Sequence, residues 1–171
     1  MSNPFVVLGI NHGGHDTSAA LMCDGKLLSA CEQERYSLDK HSRRFPVDAI
    51  LDCLGQTDLD MSDIDVLAYA FDPRYHIREA YLRPAVEDHE NIKRIIADID
   101  RIEQNYKIEV LIRDSIAYDG KIDYFNHHLC HLASTYYPSG FTEALLASYD
   151  GIGEYESGML ASGRDGVISV L

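Results

Sequence analysis

The chain has 171 residues, 46% apolar and 25% charged, which is the content of one ordinary folded domain and excludes a wholly disordered chain. No apolar run reaches the roughly 18 residues that span a bilayer, and the start Met1-Ser2-Asn3-Pro4-Phe5 lacks the basic segment of a secretory signal. Fifteen basic residues against 28 acidic ones give a net charge of −13, a balance that repels phosphate backbones and argues against a nucleic-acid surface. Four cysteines, none in a C-x-x-C pair, read as reduced, mostly buried thiols and place the protein in the cytoplasm.

Residues 5–10, rich in β-branched side chains, read as a buried strand. The polar turn Asn11-His12-Gly13-Gly14-His15-Asp16 follows, then an apolar run over 17–23. Asp24-Gly25 is a hairpin signal leading into a third strand over 26–33. Pro46 suits a first helical turn, Val47, Ile50, Leu51 and Leu54 recur at helical spacing, and Gly55 stops the helix. Residues 65–71 predict a fourth strand closed by Asp72-Pro73. The charged segment 74–105 is helix-prone, and Ile92, Ile95, Ile96, Ile99 and Ile102 form a stripe of the kind expected in a core. A fifth strand at 121–125 and a helix over 127–137, stopped by Pro138-Ser139-Gly140, complete the order β-β-β-α-β-α-β-α.

The pattern then restarts: a strand at 144–149, the turn Asp150-Gly151-Ile152-Gly153-Glu154, a strand at 156–162, the turn Arg164-Asp165-Gly166 and a strand at 167–171. The expected division is a first subdomain over 1–141 and the start of a second over 142–171. A final apolar strand with nothing after it leaves an open sheet, so the chain is expected to be the N-terminal part of a longer protein.

Four stretches carry chemistry. In the first turn, Gly13 and Gly14 let backbone N–H groups approach an anion, Thr17 and Ser18 add hydroxyls, and His12 or His15 can serve as a base. On a helix, His127 and His131 lie four apart and project side by side as in helical metal sites, while His128 points about 100° away and packs or bonds locally. The turn at Asp150–Glu154 combines glycines suited to phosphate with a carboxylate suited to a metal. Its position in the restarted pattern suggests two loops facing one ligand, one from each half. Around Glu32-Gln33-Glu34-Arg35, the basic Arg35, Lys40, His41, Arg43 and Arg44 can grip an anionic substrate.

Taken together, Leu8-Gly9-Ile10-Asn11, His15-Asp16-x-Ser18-Ala19-Ala20-Leu21, Asp24-Gly25, Glu32-x-Glu34-Arg35, Lys40-His41, Phe45-Pro46, His127-His128-x-x-His131 and Asp150-Gly151-x-Gly153-Glu154 resemble the N-terminal part of the NodU/CmcH carbamoyltransferase family. The resemblance covers essentially the whole chain, most weakly over 74–118. It implies an α/β, actin-like ATPase (ribonuclease H-like) subdomain of order βββαβαβα, followed by the first strands of a second one. It also implies ATP-dependent transfer of a carbamoyl group from carbamoyl phosphate, by way of a carbamoyl adenylate made in a YrdC-like domain, to a hydroxyl of a small-molecule or sugar acceptor.

By the same resemblance His127, His131 and Asp150 hold a divalent metal, ferrous iron by its imidazole and carboxylate ligands. His15 accepts the acceptor's proton. His12, Gly13, Gly14, Asp16, Thr17, Ser18, Gly151, Gly153 and Glu154 contact nucleotide or phosphate, and Arg35, Lys40 and His41 contact substrate. The missing C-terminal half and the YrdC-like domain are implied partners. Gln33 and Tyr36 replace the family's commoner Glu and Phe. A tRNA threonylcarbamoyl transferase-like enzyme, a non-catalytic nucleotide- or metal-binding module and an α/β domain with a structural histidine pair are the competing readings.

Overall fold

A computed structural model describes residues 4–14 and 16–171. Packing divides the chain into two units, residues 1–70 with 100–124 and residues 71–99 with 125–171.

The first unit is a five-stranded mixed sheet in the order β3-β2-β1-β4-β5. β1 (Val6–Asn11), β2 (Ser18–Cys23) and β3 (Lys26–Glu32) form the expected antiparallel meander, whereas β4 (Val66–Tyr69) pairs parallel to β1 and β5 (Lys121–Tyr124) parallel to β4. This is the ribonuclease H-like order. Alternation sets the faces: Val6, Leu8 and Ile10 of β1 are buried while Val7 and Gly9 are half-buried. Each fully enclosed Leu or Ile contributes about 2 kcal/mol of apolar burial. α1 (Glu34–Ser37) is a single turn. α2 (Val47–Gly55) buries Ala49, Ile50, Cys53 and Leu54 and packs on β2 and β3.

The Asp24-Gly25 turn takes left-handed backbone at both residues, φ 48° and 75°, which is the twist a two-residue hairpin needs. Asp165-Gly166 repeats it at φ 49° and 80°. The second sheet is therefore built like the first: β6 (Glu143–Tyr149), β7 (Gly158–Arg164) and β8 (Val167–Val170) form another antiparallel meander. α8 (His127–Ser139) packs on β6 and β7, with Leu132, Tyr136, Leu146 and Ala161 as the core of this unit. α8 runs through Pro138 and ends at Gly140 in left-handed conformation, φ 76°.

The segment between β4 and β5 is largely helical, as expected for residues 74–105, but not continuous. It is broken into α3 (Pro73–Ile77), a π turn (Arg78–Leu82), α4 (Arg83–Glu87), a 3₁₀ turn (His89–Asn91), α5 (Ile92–Ala97), α6 (Ile99–Tyr106) and α7 (Ile108–Ile116). The isoleucine stripe is not core in this chain: Ile92, Ile96 and Ile99 are 44%, 68% and 52% exposed. Among the described residues no helix is long and apolar enough to cross a membrane.

Candidate metal centre

Three side chains from two elements of the second unit meet at one point. Asn126 caps α8 by accepting the N–H of Leu129 at 3.0 Å, which starts the helix at His127 and fixes the direction of its first turn. His127 and His131 then share a face, with their Nε2 atoms 3.0 Å apart. Asp150, at the end of β6, places Oδ2 2.8 Å from the first and 3.2 Å from the second. The Asp150 carboxyl is held well below the usual carboxylate range, first by its bond to His127 and then by the Gly151 N–H and His131.

The donor set suits a cation. Metal–imidazole bonds of about 2.0–2.1 Å at right angles set neighbouring ligand atoms about 3 Å apart, the spacing found here. Two imidazoles and a carboxylate match zinc, ferrous iron or a similar divalent ion rather than calcium.

A second ring of contacts orients these ligands. Glu154 is fully buried and accepts the backbone N–H of His127, the Nδ2–H of Asn126 at 3.1 Å and the backbone N–H of Asp72 at 2.8 Å. It thus neutralises the donor-rich start of α8. His128, about 100° further round the helix, is buried and bonded locally, as the helical spacing predicts. Its Nδ1 meets the Ser148 hydroxyl, and its Nε2–H donates to the Glu156 carbonyl at 2.9 Å. Gly153 fits between the rings: a Cβ there would lie 3.0 Å from His128 Cδ2 and 3.3 Å from His127 Cδ2. Burial and the Glu154 charge push the Cys130 thiol up to about 11.

The expected phosphate contacts fare unevenly. Gly151 donates its N–H to Asp150 and Gly153 to the Glu156 carbonyl at 2.8 Å, so both are spent inside the turn. Glu154 is occupied as described. Thr17 is buried, with its hydroxyl donating to the Arg44 carbonyl at 2.8 Å, and so ties a loop to β2. Ser18 sits in β2, opposite Asn11 and Glu32. Gly13, with φ 108°, and Gly14 are exposed. His12 packs edge-on to Phe45, and its Nδ1 lies 3.1 Å from the Tyr69 hydroxyl. Burial pushes its pKa down, against a bond to the Arg43 carbonyl that raises it. His15 lies outside the described residues.

Of the expected substrate contacts, Arg35 pairs with Glu32 at 3.0 Å and Lys40 is exposed. His41 Nδ1 meets Asp16 at 2.7 Å, and its N–H donates to Glu34 at 3.1 Å. Sequence reasoning anticipated that His128 packs and bonds locally but missed the framing role of Glu154. The adjacency of His128 to His127 was a signal, and Glu154 in a glycine turn was not.

The strand order, the repeated meander and the imidazole–carboxylate cluster define an α/β protein of actin-like fold with a candidate metal centre. A protein from Pseudomonas aeruginosa, described as uncharacterised with similarity to the peptidase YeaZ, shares the fold at a TM-score of 0.50 and 9% identity, over 98% of this chain and 63% of that one. The family model described as "Carbamoyltransferase N-terminus" matches residues 6–170, and the chain belongs to that family. The nodulation protein NolNO of Sinorhizobium fredii is 31% identical over 156 residues, which is 87% of this chain and 21% of that protein. The uncharacterised protein sll1178 of Synechocystis is 29% identical over 170 residues, 92% of this chain and 27% of that protein. The chain therefore spans about a quarter of the length of these two relatives.

Proposed function

We propose that this chain supplies the metal-binding N-terminal portion of an ATP-dependent O-carbamoyltransferase. The substrates are carbamoyl phosphate and a hydroxyl-bearing small molecule or sugar. Family membership supports the reaction type, and the convergence of His127, His131 and Asp150 on one point carries the reading. In the transfer the acceptor oxygen bonds to the carbamoyl carbon. Its proton passes to a base, for which His15 is the candidate, as the bond to the leaving phosphate or adenylate breaks. A bound divalent ion supplies Lewis acidity toward a phosphoryl or carbonyl oxygen.

The chain's own residues do the positioning. His127 and His131 present two imidazole nitrogens, Asp150 supplies the carboxylate ligand, and Glu154, His128 and Gly153 hold the helix and turn that carry them. Ferrous iron is the proposed ion, ATP the co-substrate, and a YrdC-like domain the source of the activated carbamoyl group.

The test is metal content after anaerobic purification, compared with His127→Ala/His131→Ala. Near-stoichiometric iron or another divalent ion, lost in the double variant, is the expected result. A wild-type chain that takes up no ion when supplied with ferrous or zinc salts overturns the assignment.

A further inference from the structure

A pocket of about 460 Å³ lies in the first unit beside the β1–β2 turn, within the size range of small-molecule sites. One wall is the turn itself, Gly13 and Gly14. Arg43 lines it too, and the junction of α6 and α7 adds Gln104, Asn105 and Lys107. Ile108 and Leu111 supply apolar surface.

The polar wall is made of unspent donors. Among the described residues the N–H groups of Gly13 and Gly14 reach no acceptor, and the side chains of Gln104 and Asn105 make no hydrogen bond. Arg43 has no carboxylate partner there, whereas Lys107 is already paired with Glu103. In a chain of net charge −13, this leaves one uncompensated guanidinium facing a cavity with two free amides. A planar guanidinium takes a carboxylate through two parallel bonds. One uncompensated positive charge balances a monoanion and leaves a phosphate dianion half neutralised. The carboxamides offer both donors and acceptors, which suits hydroxyl groups, and the aliphatic surface suits the carbon skeleton between them.

We propose that this pocket binds a small polyhydroxylated carboxylate, with Arg43 and the Gly13–Gly14 amides on the carboxylate and Gln104 and Asn105 on its hydroxyls. The proposal goes beyond carbamoyl transfer: it uses the turn that also carries His15 but shares no residue with the metal centre, so ligand binding tests it and metal content tests the other.

Glucuronate, glucose and inorganic phosphate are the probes, titrated separately into the whole chain and followed by amide NMR. Glucuronate is expected to shift the Gly13, Gly14 and Lys107 amides saturably and to bind about tenfold tighter than glucose or phosphate. Arg43→Gln is expected to lose about tenfold in glucuronate affinity. Asn105→Asp places a second anion beside the ligand and is expected to weaken it similarly. Both residues lie at the surface or half-buried, and an unchanged melting temperature establishes that the fold is kept. Equal binding of glucose makes the pocket a neutral polyol site and overturns the proposal. Phosphate binding as tight as glucuronate makes it a bare oxyanion seat and also overturns it. So does an Arg43→Gln chain that binds glucuronate like wild type, or the absence of any saturable shift up to about 50 mM.

Discussion

The backbone N–H of His127 lies 3.0 Å from each oxygen of the Glu154 carboxylate. A buried acid therefore grips the helix at the residue whose side chain faces Asp150. It belongs to the same turn as Asp150, so it holds helix and turn in one register.

Glu154→Gln is expected to keep the fold and weaken metal binding by about tenfold or more, as loss of an outer-shell contact does. Glu154→Ala leaves three part-buried donors without an acceptor and is expected to cost about 2 kcal/mol of stability as well. Metal titration followed by the absorption of a cobalt probe separates the two variants. An E154Q chain with wild-type affinity and spectrum shows that the grip does not reach the ligands.

Gly153→Ala places a methyl against both imidazoles, at 3.0 and 3.3 Å. The rings give way more readily than a packed turn, so metal affinity is expected to fall while the melting temperature moves little. Imidazole NMR signals of His127 and His128 report the displacement directly.

His12 ties stability to pH. Its folded pKa lies below the usual value because burial disfavours the charged ring. The unfolded chain therefore binds the proton more tightly. The contribution is fully present above the unfolded value of about 6.5 and is lost as pH falls toward the folded one. Urea unfolding is expected to show lower stability at acidic pH than near neutrality, and His12→Asn is expected to flatten that slope.

Gly25 has φ 75° beside Asp24 at 48°, backbone in which a Cβ costs about 1–2 kcal/mol. Gly25→Ala is expected to lower stability by about 1 kcal/mol, and Gly166→Ala, at φ 80°, by a similar amount. Denaturant midpoints measure both.

Both meanders were legible because they rest on local signals: short apolar runs such as the β-branched one over residues 5–10, and Asp-Gly turns that demand left-handed backbone. The His127–His131 pair was legible because helical spacing alone puts the two rings on one face. What the sequence hid depends on partners far along the chain. The isoleucines at 92, 96 and 99 have core periodicity, but periodicity says only which residues share a face, not what covers it. Glycine at 151 and 153 permits an anion to approach, yet the turn folds so that Asp150 and Glu156 take those N–H groups first. Thr17 looked available until the loop at 42–44 closed on it.

The three candidate ligands come from one continuous helix–turn–strand stretch, His127 to Asp150, while the donors of the other pocket come from well-separated parts of the chain. A site written into so short a stretch is open to gain, loss or retuning by a few neighbouring codon changes. The pocket beside the β1–β2 turn draws on segments that must change together. Of the two proposed sites, the metal centre is the one a local change can retune, and the pocket is the one that needs several segments to change at once.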